Sequence, residues 1–115
     1  MFAQIYKYLK ENGFDVYSIG QHKGICTNPY IVVKENGESE IAGNSLVNDY
    51  VELLIYYPIG KYSELSNYKK SILGVMKYLR GVRRVIEAIP TIIDDDKKAY
   101  MTSFTYKKIK TKEGA

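Results

Sequence analysis

From Ser45 to Pro58 the chain is an unbroken run of strand-forming residues that leads almost directly into helical periodicity. Val47, Asp49, Val51, Leu53, Ile55 and Tyr57 fall on one side of such a strand, with Tyr50, Glu52, Leu54 and Tyr56 on the other. Both sides turn apolar towards Pro58, so the second half is expected to be covered on both faces. A helix would cover one face, and another sheet or another subunit the other. A chain of 115 residues has room for one such core, so residues 1–115 read as a single domain.

The flanking segments supply what packs on that strand. Phe2, Ile5, Tyr6 and Leu9 recur at helical spacing, predicting a helix over residues 2–12 that stops at Asn12-Gly13, with Phe14 folding back onto its end. Asp15 to Ile19 and Tyr30 to Glu35 read as strands. The polar stretch Asn36 to Glu40 is expected to turn the chain as a hairpin that leads through Gly43-Asn44 into the long strand.

Leu65, Tyr68, Ile72, Met76 and Leu79 form the stripe of a second helix. Ser63 is the expected N-cap, Glu64 lies in the first turn, Lys77 and Arg80 lie in the last, and Gly81 ends it. Gly74 inside that helix is expected to mark close approach to the sheet. Arg84 to Ile89 reads as a strand, Pro90 as an interruption, Asp94 to Lys97 as a turn, and Ala99 to Ile109 as the closing strand. The fold expected is α+β in the order α-β-β-β-α-β-β, a mostly antiparallel sheet packed by two helices.

Composition narrows the chemistry more than it identifies it. Apolar residues make up 45% and charged residues 26%, an ordinary globular balance that argues against disorder. The net charge of +4 is mild and gathers partly in Lys107, Lys108, Lys110 and Lys112, where a solubilising fringe on a strand end is the better reading. One cysteine, Cys26, rules out an internal disulfide and favours a reduced, intracellular setting. No apolar run reaches membrane-helix length, and the first residues are amphipathic and lack a signal-peptide block, so a soluble, unexported protein is expected.

Each candidate reactive group has a plainer reading. Asp94-Asp95-Asp96 lacks the spacing and distal glutamate of a calcium loop and reads as a solvated turn. His22, the one histidine, has no partners for a zinc site or a triad, and Cys26 reads as structural instead of as half of a Cys-His pair. Gly20 and Gly24 lack the Gly-Lys-Ser/Thr ending of a phosphate loop. Tyr100, Phe104 and Tyr106 beside Lys107 and Lys108 loosely fit a base-stacking face, yet tyrosines on a sheet more often serve a core edge or a subunit interface. No catalytic residue, metal ligand or cofactor site is assigned, and an enzyme is not expected.

The chain resembles the tail terminator, or tail completion, proteins of tailed bacteriophages and phage-derived tail particles. The resemblance runs through Phe2 to Glu11, through Gly20-Gln21-His22-Lys23-Gly24, and through Asn28-Pro29-Tyr30-Ile31-Val32-Val33. It continues in Leu54-Ile55-Tyr56-Tyr57-Pro58 before the long helix and in Ala99 to Tyr106. It implies a small non-enzymatic α+β protomer, without cofactor, that closes with copies of itself into a six-fold ring on the last ring of tail tube protein. The ring would stop tube growth and offer a docking surface to a neck, connector or sheath protein. No membrane and no specific nucleic acid would be involved. Assembly would take place in the host cytoplasm, and the protein would end in a virion or tail-like particle.

On that reading the tube or neck contact would use the polar hairpin, Asn36, Glu38, Glu40 and Asn44, and the basic tail, Lys107, Lys108, Lys110 and Lys112, one or both projecting beyond the compact body. Tyr50, Leu54, Tyr56, Tyr100, Phe104 and Tyr106 would face neighbouring subunits in a heterologous interface closed by rotation. Another head-tail connector or neck component, or a small basic nucleic-acid-binding module, are the alternatives.

Overall fold

The computed structural model describes residues 1–41, 43 and 45–111. Its elements run α1 (Phe2–Glu11), β1 (Val16–Ser18), β2 (Tyr30–Glu40), β3 (Leu46–Pro58), α2 (Tyr62–Met76), β4 (Arg83–Val85), β5 (Ile92–Asp94) and β6 (Ala99–Thr111). This is the α+β domain expected, with the short β5 added before the last strand. The sheet runs β1-β2-β3-β6-β4, and β5 lies beside β4 on the same outer edge of β6. Among the described strands the β1–β2 pairing is parallel and the others are antiparallel. The molecule is elongated, 49 × 27 × 26 Å.

β3 is the middle of everything. It pairs along its whole length with β6, from Leu46 opposite Thr111 to Pro58 opposite Ala99, and along its other side with β2. The period-2 alternation then sorts side chains as the sequence predicts. Val51, Leu53, Ile55 and Tyr57 share one face with Ile31 and Val33 of β2 and with Phe104 and Tyr106 of β6. Both helices lie on that face, α1 contributing Ile5 and Leu9 and α2 contributing Leu65, Ile72 and Met76. The Tyr8 hydroxyl ties the helices together by donating to the Val75 carbonyl at 2.7 Å.

α1 ends as its sequence says it should. Gly13 adopts a left-handed φ of 88°, its N–H bonds the Lys10 carbonyl, and the Phe14 N–H reaches back to Leu9. α2 departs from expectation at both ends. Its N-cap is Lys61, with no side-chain cap, and Ser63 already lies in the first turn. What holds that turn is Tyr57, whose hydroxyl donates to Glu64 at 3.0 Å. The regular helix stops at Met76. Tyr78 and Leu79 bond the carbonyls three residues back, so Arg80 and Leu79 sit in a tightened turn beyond the helix. Gly74 is exposed, and a Cβ there would meet nothing within 4 Å, so close packing on the sheet does not explain it.

Two strand assignments also move. Asn36 to Glu40 does not turn the chain but continues β2 to Glu40, with a bulge between Glu35 and Gly37 where Gly37 takes a left-handed φ of 87°. The turn comes later, between Ile41 and Leu46. On the far side, only Arg83–Val85 of the expected Arg84–Ile89 strand joins the sheet, because Ile86 to Thr91 leaves it before β5.

Leu53, fully buried between both sheet neighbours, should be the costliest truncation. Leu53→Ala is expected to lose about 2–5 kcal/mol in urea unfolding. Gly74→Ala, by contrast, should gain up to about 1 kcal/mol in the same measurement, since its methyl group has room and helical backbone favours alanine.

Candidate functional site

Beyond Val51 the sheet runs on without helices above it. β2 from Glu35 to Glu40, β3 from Leu46 to Tyr50 and β6 from Lys107 to Thr111 form a three-stranded ribbon at one end of the long axis. Its polar side chains hold each other. Lys110 bridges to Glu38 and, at 3.9 Å, to Asp49; Ser39 bonds the Tyr50 hydroxyl at 3.0 Å; Asn36 donates to Glu52 at 3.3 Å. These partly exposed ion pairs contribute little stability, about 1 kcal/mol or less each, but they order the surface they sit on.

The ribbon brings together the two segments read from sequence as a contact surface. Asn36, Glu38 and Glu40 lie on β2, Lys107, Lys108 and Lys110 on β6, and β3 separates them by one strand: Glu38 faces Asp49, which faces Lys108. Asn44 and Lys112 fall outside the described residues. The basic character extends further than the tail suggested, because β4 sets Arg83 beside Lys107 and Arg84 beside Tyr106. That contribution could not be seen in the sequence without the β4–β6 pairing.

The candidate subunit-interface residues do not form one surface. Phe104 and Tyr106 are buried beneath α2, with the Arg84 guanidinium stacked over the Phe104 ring at 4.8 Å. Tyr100 lies on the same face, half-buried, its ring edge-on to Tyr62 at 5.1 Å. Tyr50, Leu54 and Tyr56 are on the opposite face; Tyr56 is buried, and Tyr50 is tied to Ser39. Phe104, Tyr106 and Tyr56 thus pack within their own protomer, and the first two cannot offer a face for stacking bases.

What covers Tyr56 is neither a second sheet nor a second subunit but this chain's own loop, residues 19–29. Cys26 and Tyr30 are buried there with Val32, Tyr56 and Ala99, and the Cys26 N–H bonds the Lys97 carbonyl at 2.7 Å. His22 stacks on Tyr30 at 3.8 Å, Tyr30 stacks on Tyr56 at 4.7 Å, and Tyr17 meets both His22 and Tyr30 edge-on. Tyr30 Oη and His22 Nδ1 have no hydrogen-bond partner among the described residues. The Cys26 thiol donates to the Asn28 carbonyl, and burial pushes it up to about 11, so it is a protonated packing group at neutral pH and no nucleophile.

Asp94 closes the β5–β6 turn by accepting from the Lys97 N–H at 3.2 Å, while Asp95 and Asp96 face solvent. Among the described residues no cluster of histidine, cysteine or carboxylate side chains could hold a metal ion. None of their helices is long and apolar enough to cross a membrane. Isoleucines that sequence reading left unassigned also reach the surface, among them Ile86, Ile89, Ile92 and Ile93 along the β4–β5 edge and Ile109 on the ribbon. Comparison of the sequence with protein-family models and with curated proteins finds no match.

Burial raises several acids together. Tyr30 and Tyr68 are pushed far up, and Tyr106 to about 12. Such groups keep their protons in the folded chain after the unfolded chain has lost them, so stability is full below the ordinary thiol value of 9.0 and falls as pH rises towards about 12. The urea midpoint is expected to stay level from pH 7 to about 9 and then drop, and a Cys26→Ala variant should soften the first part of that drop.

Proposed function

We propose that this chain is a structural assembly subunit of the tail-terminator type, closing with copies of itself into a ring, expected to be six-fold, that caps a tail tube and receives a neck or connector protein. The observation that carries the reading is the helix-free ribbon, where charged and polar residues from β2, β3 and β6 converge beyond the core. A projecting, ordered, polar end suits docking against another protein, and its two sheet edges differ, as a heterologous ring interface requires.

The mechanism would be steric. One face of the ring matches the tube end, and the opposite face lacks the surfaces that recruit a further tube subunit, so polymerisation stops. The basic cluster Arg83, Arg84, Lys107 and Lys108 also supports a second reading, a nucleic-acid-binding module. That alternative requires phosphate contacts, whose affinity falls steeply with salt.

The test is tube length. Tail tube protein polymerised with the purified chain should give short tubes of uniform length with a cap at one end in electron micrographs, and open-ended tubes of scattered length without it. Lys107→Glu with Lys108→Glu should restore the scatter while leaving the melting temperature within a few degrees. Tubes indifferent to the chain, together with DNA retention at low salt that vanishes by moderate salt, would transfer the assignment to the nucleic-acid reading.

A further inference from the structure

The two outer edges of the sheet match each other, residue by residue, at the same level. On one side β1 covers β2 only from Ile31 to Val33, so no described strand lies beside the outer edge of β2 from Lys34 to Glu40. On the other side β4 is the last strand, and no described strand lies beside its outer edge. Following the register across the sheet, Arg84 pairs with Tyr106, Tyr106 with Val51, and Val51 with Glu35. In the same way Arg83 is level with Gly37 and Val85 with Lys34.

The strand directions fit as well. Each step from β2 through β3 and β6 to β4 is antiparallel, so β4 of one copy set beside β2 of the next would again be antiparallel. In an unstaggered lateral contact Arg84 then meets Glu35 on the helix-bearing face. Both are exposed, and neither has an ion-pair partner among the described residues. Two residues on, just past the end of β4, Ile86 is 82% exposed, and beside Glu35 on the β2 side lies a groove of about 400 Å³ that Phe2, Ser18, Ile19 and Val33 also line.

We infer that a second copy of this chain docks edge to edge, the β4 edge of one protomer against the β2 edge of the next, with Arg84 on Glu35 and Ile86 in the Phe2–Ile19–Val33 groove. This deepens the reading above and rests on its self-association. The edges differ in sign where they would meet: Glu35 borders one, beyond Lys34 and with Glu38 already held by Lys110, while Arg83, Arg84 and Lys107 border the other. Charged edges ordinarily keep strands from pairing, and here the opposite signs permit only the head-to-tail contact that a ring needs.

The experiment is a charge swap read by sedimentation. The wild-type chain at high micromolar concentration should sediment as an oligomer that weakens as salt is raised. Glu35→Arg, Arg84→Glu and Ile86→Asp should each weaken self-association about tenfold or more, with unchanged circular dichroism. An equimolar mixture of the Glu35→Arg and Arg84→Glu chains should reassemble, as should a chain carrying both changes, because the contact is heterologous. Lys70→Glu, on the exposed side of α2, should change nothing. A wild-type chain that remains monomeric, or an oligomer indifferent to these substitutions, overturns the inference. An oligomer that obeys the swap but leaves tail tubes uncapped upholds it and removes only the tail-terminator assignment.

Discussion

The fold depends on a single hydrogen-bonded ladder, β3 against β6, to which every other element is fastened. Leu46 to Pro58 pairs without interruption to Thr111 back to Ala99, and β2 lies along the opposite side of β3 for most of its length. Both helices, the 19–29 loop and the short strands β4 and β5 attach to surfaces or edges that this ladder creates. Because adjacent residues of a strand face opposite ways, one segment of β3 can serve two separate apolar clusters at once. Leu53, Ile55 and Tyr57 enter the helix-side core, while Leu54 and Tyr56 meet Tyr30, Val32 and Cys26.

Much of this was legible in the residues. The alternation along β3 and β6 and the 3.6-residue stripes of the helices are burial patterns, and burial is what drives a strand or helix to choose a face. The stop at Asn12-Gly13 was legible because a left-handed glycine leaves a local signature. The failures share a cause: where tertiary contacts decide, local chemistry misleads. Asn36 to Glu40 has the composition of a turn but is held extended by β3, which supplies partners for its backbone and absorbs one extra residue as a bulge. Ser63 has the chemistry of a cap, yet α2 begins before it because Tyr57 anchors Glu64 from the sheet. Nothing in the sequence distinguished tyrosines that face a neighbour from tyrosines that face their own chain. Burial of Tyr56 and Tyr106 follows from where a loop and a helix come to rest.

The charged groups of the molecule lie on its outside. The cysteine and the aromatic stack around it are packing groups, and the buried phenols are held protonated by the same desolvation that buries them. The surface, in contrast, is sorted by sign and by shape. Acidic residues border β2, basic residues border β4 and β6, isoleucines line the β4–β5 edge, and a groove faces the opposite way. Such segregation gives a protein direction, because its left side and its right side are different chemical objects.

The helix-free ribbon gives one strand two temperaments. From Leu53 to Tyr57 β3 can open only by dragging apart a core, so its amides exchange with solvent through global unfolding. From Leu46 to Tyr50 only Val47 is buried, the rest of the segment being closed by its ladder bonds and a few surface charges, and it frays at lower cost. The polar end can therefore open and close on its own while the body beneath it keeps its packing.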